Sequence, residues 1–138
     1  MTIPANGAQF PVSQRDAFLI PSHPGIDEDE YHLFTVLTDP AKDNSVLLVN
    51  ASTVYTGVVH DTTCYLNVGD HPFIRHLSYI FYAKSRIVTL QKLRTLVAAR
   101  TIIYRPPPIS VPVFERIIAG VGGPQMDPEH LRFYNSFK

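Results

Sequence analysis

A single cysteine, Cys64, stands in this sequence. Without a second thiol the chain cannot close an internal disulfide, which excludes a disulfide-framed secreted scaffold and points to a reducing, cytoplasmic setting. Cys64 reads first as a small buried hydrophobe in a strand-like run, with a reactive thiol as the competing reading. No apolar run approaches the roughly 18–20 residues that a membrane span needs, so no membrane partner is expected. The opening MTIPANGAQFPVSQRD carries neither the basic start nor the apolar stretch of a secretory signal. No internal repeat is present, and the formal net charge is zero.

What is there suits one folded domain. The 138 residues are 45% hydrophobic and 17% charged, enough apolar material for a core and too little charge for a disordered chain. The neutral total hides an asymmetry. Residues 1–70 hold nine acidic and two basic side chains, and residues 71–138 hold three acidic and ten basic. Arg75, Lys84, Arg86, Lys92, Arg94, Arg100 and Arg105 follow one another closely. On a shared face they would attract a polyanion; otherwise the two halves neutralise each other across the fold.

Residues 1–16, rich in Pro, Gly, Asn and Gln, predict a flexible arm. AFLI then forms a short strand that stops at the turn signal PSHPG, and DEDE (27–30) reads as a solvated charge run. YHLFTVLTDP places Leu33, Thr35 and Leu37 on one face and Phe34 and Val36 on the other, the mark of an interior strand. The turn formers DPAKDN join it to SVLLVN in a hairpin. A strand follows through Thr63–Leu66, then two strand-like runs, SYIFYA and RIV, rich in aromatic and β-branched residues. Leu90, Leu93, Leu96 and Val97 change to helical spacing, with Thr89 placed as N-cap. YRPPPIS must run extended. Ser110 precedes a helix with Pro112 in its first turn and Gly120 past its end, and Asp127-Pro128-Glu129 opens another. Strands first and helices after argue against an alternating βαβ fold. The expected architecture is mainly β with C-terminal helices: a small barrel over 17–105 that includes one helix, and a helical extension over 106–138.

Polar chemistry gathers in one stretch, HDTTCYLNVGDHPFIRH. Gly69 and Pro72 bracket Asp70 and His71, which marks a loop, where functional groups concentrate. His71 offers an imidazole, Asp70 a carboxylate able to orient it, and Arg75 a guanidinium, with His76 and Ser78 close behind. Such a set could cleave RNA without a metal. One group takes the 2′-hydroxyl proton, another protonates the departing 5′-oxygen, and the arginine fork neutralises the phosphorane. The competing reading gives Asp70 an Asx-turn and leaves His71 satisfied by backbone. His71 and His76 lie five apart, matching neither the i, i+4 helix pair nor a knuckle spacing, so neither metal nor cofactor is expected. Tyr79, Phe81 and Tyr82, flanked by Arg75, Lys84 and Arg86, could stack single-stranded bases or could be plain core. His23, His32 and His130 stand alone and read as structural.

Three blocks carry a family likeness. HLFTVLTDP with SVLLVNAST, TTCYLNVGD, and SYIFYAKSRIVTLQKL together resemble, over about residues 17–97, the MazF/PemK superfamily of SH3-like barrel toxins. The resemblance implies a metal-independent endoribonuclease of a type II toxin–antitoxin system, usually a homodimer, restrained by an antitoxin that occupies the RNA groove. The family's hydroxyl-bearing position carries over to Ser52 or Thr53. Its arginine before the strand at Val46–Asn50 is replaced here by Asn44-Ser45, so Arg75 or Arg86 would have to supply that charge. The family's glycine-rich entry is also poorly matched by AFLIPSHPG. The roles expected are His71 as acid or base, Arg75 on phosphate, Asp70 orienting His71 and Thr53 completing the catalytic set. Ser52, His60, His76, Ser78, Lys84 and Arg86 would contact RNA. The alternatives are a non-catalytic barrel module binding RNA or a protein, and an interaction protein gripping a partner through residues 106–138.

Overall fold

The computed structural model describes residues 10–21 and 31–137. Six strands and three helices follow in the order β1 (Ala17–Pro21), β2 (Tyr31–Val36), β3 (Ser45–Thr53), β4 (Tyr65–Leu66), β5 (Ser78–Thr89), α1 (Leu90–Ala98), β6 (Ile103–Tyr104), α2 (Val111–Ala119) and α3 (Pro128–Asn135). The strands form one curled antiparallel sheet in the order β4-β5-β3-β2-β1-β6. The architecture is therefore mainly β with short helices, as expected.

Both faces of the sheet are covered, which explains why its central strands are apolar on alternate and intervening positions alike. On one face Leu33, Leu47, Val49, Ile80 and Tyr82 pack beneath Ile109, Val113, Phe114 and Ile117. On the other, Phe18, Phe34, Val36, Val46 and Leu48 meet Leu93 and Val97 of α1 together with Phe10 and Val12. The alternation expected of β2 holds, with Leu33 and Leu37 serving the first core and Phe34 and Val36 the second. The β2–β3 hairpin is also present, registered by Leu33 opposite Ala51 and Val36 opposite Leu48.

Four expectations change. The arm is packed over its described part: Phe10 is wholly buried against Phe18 and Tyr104, and the Arg15 guanidinium donates to the Ile109 carbonyl at 2.8 Å. Residues 1–9, like the PSHPG turn beyond Pro21 and the acidic run 27–30, lie outside the described residues. SYIFYA and RIV are one strand, β5, because a bulge absorbs the intervening Lys84-Ser85: Leu48 faces Arg86 while Asn50 faces Phe81. The strand at Thr63–Leu66 shrinks to Tyr65–Leu66, since the Asp61 carboxylate takes the Thr63 amide at 2.9 Å and bends the chain there. The C-terminal helices are no appendage. Ile109, Val113, Phe114, Ile117 and Met126 belong to the core under the sheet, so residues 106–138 are part of the folded body.

Helix termini follow the sequence signals. Thr89 caps α1 by accepting the Lys92 amide at 3.1 Å, and Asp127 accepts the Glu129 amide at 2.8 Å to open α3. No helix among the described residues is long and apolar enough to cross a membrane.

Candidate functional site

At one end of the sheet lies a cleft of about 830 Å³. Its walls come from several separate segments. The start of β2 gives Tyr31 and His32, and the end of β3 gives Ser52 and Thr53. The following loop gives Tyr55 and His60, the segment before β5 gives Arg75 and His76, β5 gives Tyr79 and Phe81, and the exit from β6 gives Arg105. Among the described lining residues are two arginines and three histidines, and no carboxylate.

The rings are ordered. Tyr79 lies between His60 (centroids 5.2 Å apart) and Phe81 (5.4 Å), and His60 also packs edge-on to Tyr65 at 5.5 Å. Hydrogen bonds set the imidazole tautomers. The His60 Nδ1–H donates to the Val58 carbonyl at 3.3 Å, which leaves Nε2 to accept from the Tyr65 hydroxyl at 2.8 Å. In His32 the Nδ1–H points at the Ala51 carbonyl at 3.4 Å, with the Ser52 hydroxyl 3.5 Å away; that hydroxyl itself donates to Asn50 Oδ1 at 2.7 Å. The Tyr79 phenol is pushed above its ordinary value chiefly by burial, so it stays a neutral hydroxyl at physiological pH. Arg75 is exposed and has no ion-pair partner among the described residues, so its fork is available to an anion.

Of the residues that the sequence nominated, Ser52, Thr53, His60, Arg75, His76 and Ser78 meet in this cleft. Ser78 is nevertheless buried, its hydroxyl committed to the His76 carbonyl at 2.9 Å. Lys84 and Arg86 are exposed further along β5 and do not line it.

The expected catalytic centre of the loop is not there. His71 is 2% exposed. Its Nε2–H donates to the Pro107 carbonyl at 2.8 Å, and its Nδ1 accepts the Phe73 amide at 3.1 Å. Both nitrogens are used, and burial pushes the imidazole below its ordinary value, so His71 neither reaches a ligand nor carries charge near neutrality. Asp70 does not orient it. The Asp70 carboxylate accepts from Arg116 at 2.6 Å and from the Asn67 amide at 2.7 Å. Burial alone would raise its pKa, but those bonds outweigh it and hold the carboxyl below its ordinary value. The expected pair of His71 and Asp70 is thus a structural clamp that ties the loop to the 105–109 segment and to α2.

The aromatic expectation is also revised. Tyr82 points into the core, its hydroxyl donating to the Ile117 carbonyl at 2.7 Å, and Tyr79 is largely buried in the stack, while Phe81 is half-buried.

Sequence reasoning missed His32, Tyr31 and Tyr55, and it named Arg105 only within the basic run. His32 had a usable signal, since it lies two residues before Phe34 on the same face of β2 and the hairpin carries Ser52 to it. For Arg105 the charge was legible but the place was not, because the β1–β6 pairing brings that part of the chain to the cleft.

Among the described residues no group of three or more His, Cys, Asp or Glu side chains is placed to hold a metal ion. No model of a known protein family and no curated protein matches this sequence.

Proposed function

We propose that the cleft binds single-stranded RNA. The observation that carries this reading is its wall: Arg75, Arg105, His32, His60 and His76, with no described carboxylate, in a protein of zero net charge. Guanidinium forks suit phosphate oxygens, and half-exposed rings such as His60 and Phe81 suit unpaired bases. In a globule whose opposite charges were spread evenly, two guanidiniums in one concavity would meet carboxylates, and the described lining has none. The experiment is titration of unstructured RNA at several salt concentrations. Binding should weaken as salt rises, with a slope of about 0.7 per phosphate neutralised. Salt-independent binding, or none, rejects the reading.

A second reading is favoured by one observation: Arg75, Ser52 and Thr53 do share the cleft with imidazoles. On it the protein is an SH3-like barrel toxin of MazF/PemK type, a cytoplasmic, metal-independent endoribonuclease and homodimer whose antitoxin fills the same cleft. Arg75 neutralises the scissile phosphate, and His76 and His60 take the acid and base roles that the buried His71 cannot fill. Incubation of mixed RNA with the protein in chelator separates the two readings, since a module only binds and a toxin cuts. In cells, growth arrest relieved by Arg75→Ala supports the toxin. Arrest unaffected by that change rejects Arg75 as its phosphate ligand.

A further inference from the structure

The sheet face that gives the cleft Ser52, Tyr79 and Phe81 continues beyond it. Leu48, Asn50 and Ser52 of β3 point to this face, and opposite them on β5 stand Arg86, Phe81 and Tyr79. On the β2 side Val36 and Phe34 flank Leu48 and Asn50, and His32 approaches Ser52. Val36, Phe34 and Leu48 are buried in the second core, so solvent reaches this row beyond the cleft at Phe81 and Arg86 on β5. The row from Tyr79 to Arg86 spans four residues of β3, about 13 Å at the usual strand rise. At its far end the Arg86 guanidinium is held 5.0 Å over the Phe34 ring. Cation–π contact of this kind fixes the side chain without neutralising it. Arg86 is exposed and has no acidic partner among the described residues.

We propose that Arg86 is a second phosphate station, so that an RNA strand leaving the cleft crosses Phe81 and sets a phosphate on this guanidinium. The inference rests on the RNA-binding reading and deepens it. The ligand is then an oligonucleotide and not a mononucleotide: the row alone is as long as about four stacked nucleotides at roughly 3.4 Å each. Phe81, half-buried and placed on β5 between the cleft and Arg86, takes one base, and the order of contacts is cation, ring, cation.

The test uses fluorescently labelled 2′-O-methyl oligouridylates, which do not pair with themselves and lack the hydroxyl needed for cleavage. A dinucleotide should occupy the cleft only, and an octanucleotide should reach Arg86. Arg86→Met keeps the aliphatic stem over Phe34 and removes the charge. It is expected to weaken octamer binding about tenfold, to lower the salt slope by about 0.7, and to leave dinucleotide affinity unchanged. Arg86→Lys should restore most of the slope. If Arg86→Met binds the octamer as the wild type does while Arg75→Ala weakens both ligands, the cleft binds RNA and the station at Arg86 is wrong. If the wild type binds neither ligand, the RNA-binding reading falls and takes this inference with it. Equal thermal melts of wild type and both Arg86 variants confirm that the comparison is made on folded protein.

Discussion

The loop at residues 67–76 shows how little adjacency in sequence says about direction in space. Asp70, His71 and Arg75 were recognisable as reactive side chains, but Gly69 sits at φ +98° and the turn that follows sends His71 inward and leaves Arg75 outside. Nothing local marks Pro107 as the partner of that imidazole, since it lies 36 residues away. His71→Ala is therefore expected to destabilise the fold by about 2–4 kcal/mol, through a cavity and two stranded backbone groups. Chemical denaturation reads that loss directly, and RNA affinity per folded molecule should not change. The pH dependence follows in sign. Burial depresses the folded-state pKa of His71, so its contribution is fully present above the ordinary value of 6.5 and is lost as pH falls below it. Denaturation midpoints should drop from pH 7 towards pH 5 in the wild type, and less steeply in His71→Gln. Equal slopes would show that this imidazole titrates as freely in the folded protein as in the unfolded chain.

At the level of elements the sequence was most readable where local chemistry decides. The change to helical spacing at Leu90 and the caps Thr89 and Asp127 are satisfied by bonds within a few residues. Thr89→Ala should cost about 1 kcal/mol, a shift that a thermal melt resolves. Strand limits were less readable, because the Thr63 amide and the bulge in β5 answer to neighbours outside their own run. Gly120 is instructive. Its position after α2 suggested a helix-ending glycine, yet its φ of −89° is open to any residue. Space is what requires it: a Cβ there would collide with the Tyr82 hydroxyl that donates to Ile117. Gly120→Ala should consequently loosen the junction of α2 with β5 and lower the melting temperature, and the paired change Gly120→Ala with Tyr82→Phe should recover part of the loss. Failure of the double variant to recover any stability would place the strain elsewhere.

For the molecule as a whole, mainly-β character and the helical tail were legible from the order of patterns, whereas the tail's burial was not, since an amphipathic helix looks the same on a core as on a partner. Phe114→Ala should cost about 3–5 kcal/mol, and removal of 106–138 should leave a collapsed, dye-binding chain in place of a folded barrel, as circular dichroism and dye fluorescence would report. The charge asymmetry is also a whole-molecule property. Among the described residues one ion pair, Asp70–Arg116, joins the acidic half to the basic half, and the other, Glu129–Arg132, is local. Among the described residues the basic side chains of 75–105 therefore make no ion pair. The pairing of β1 with β6, Phe18 opposite Tyr104, has a consequence in time. A ribosome reaches Tyr104 86 residues after Phe18, and Ile109, which bonds back to Arg15, comes later still. During synthesis the first strand must wait with one flank bare, and contacts this distant close slowly. Nascent chains halted before residue 104 should accordingly be digested readily by protease, and those extended past α3 should resist it.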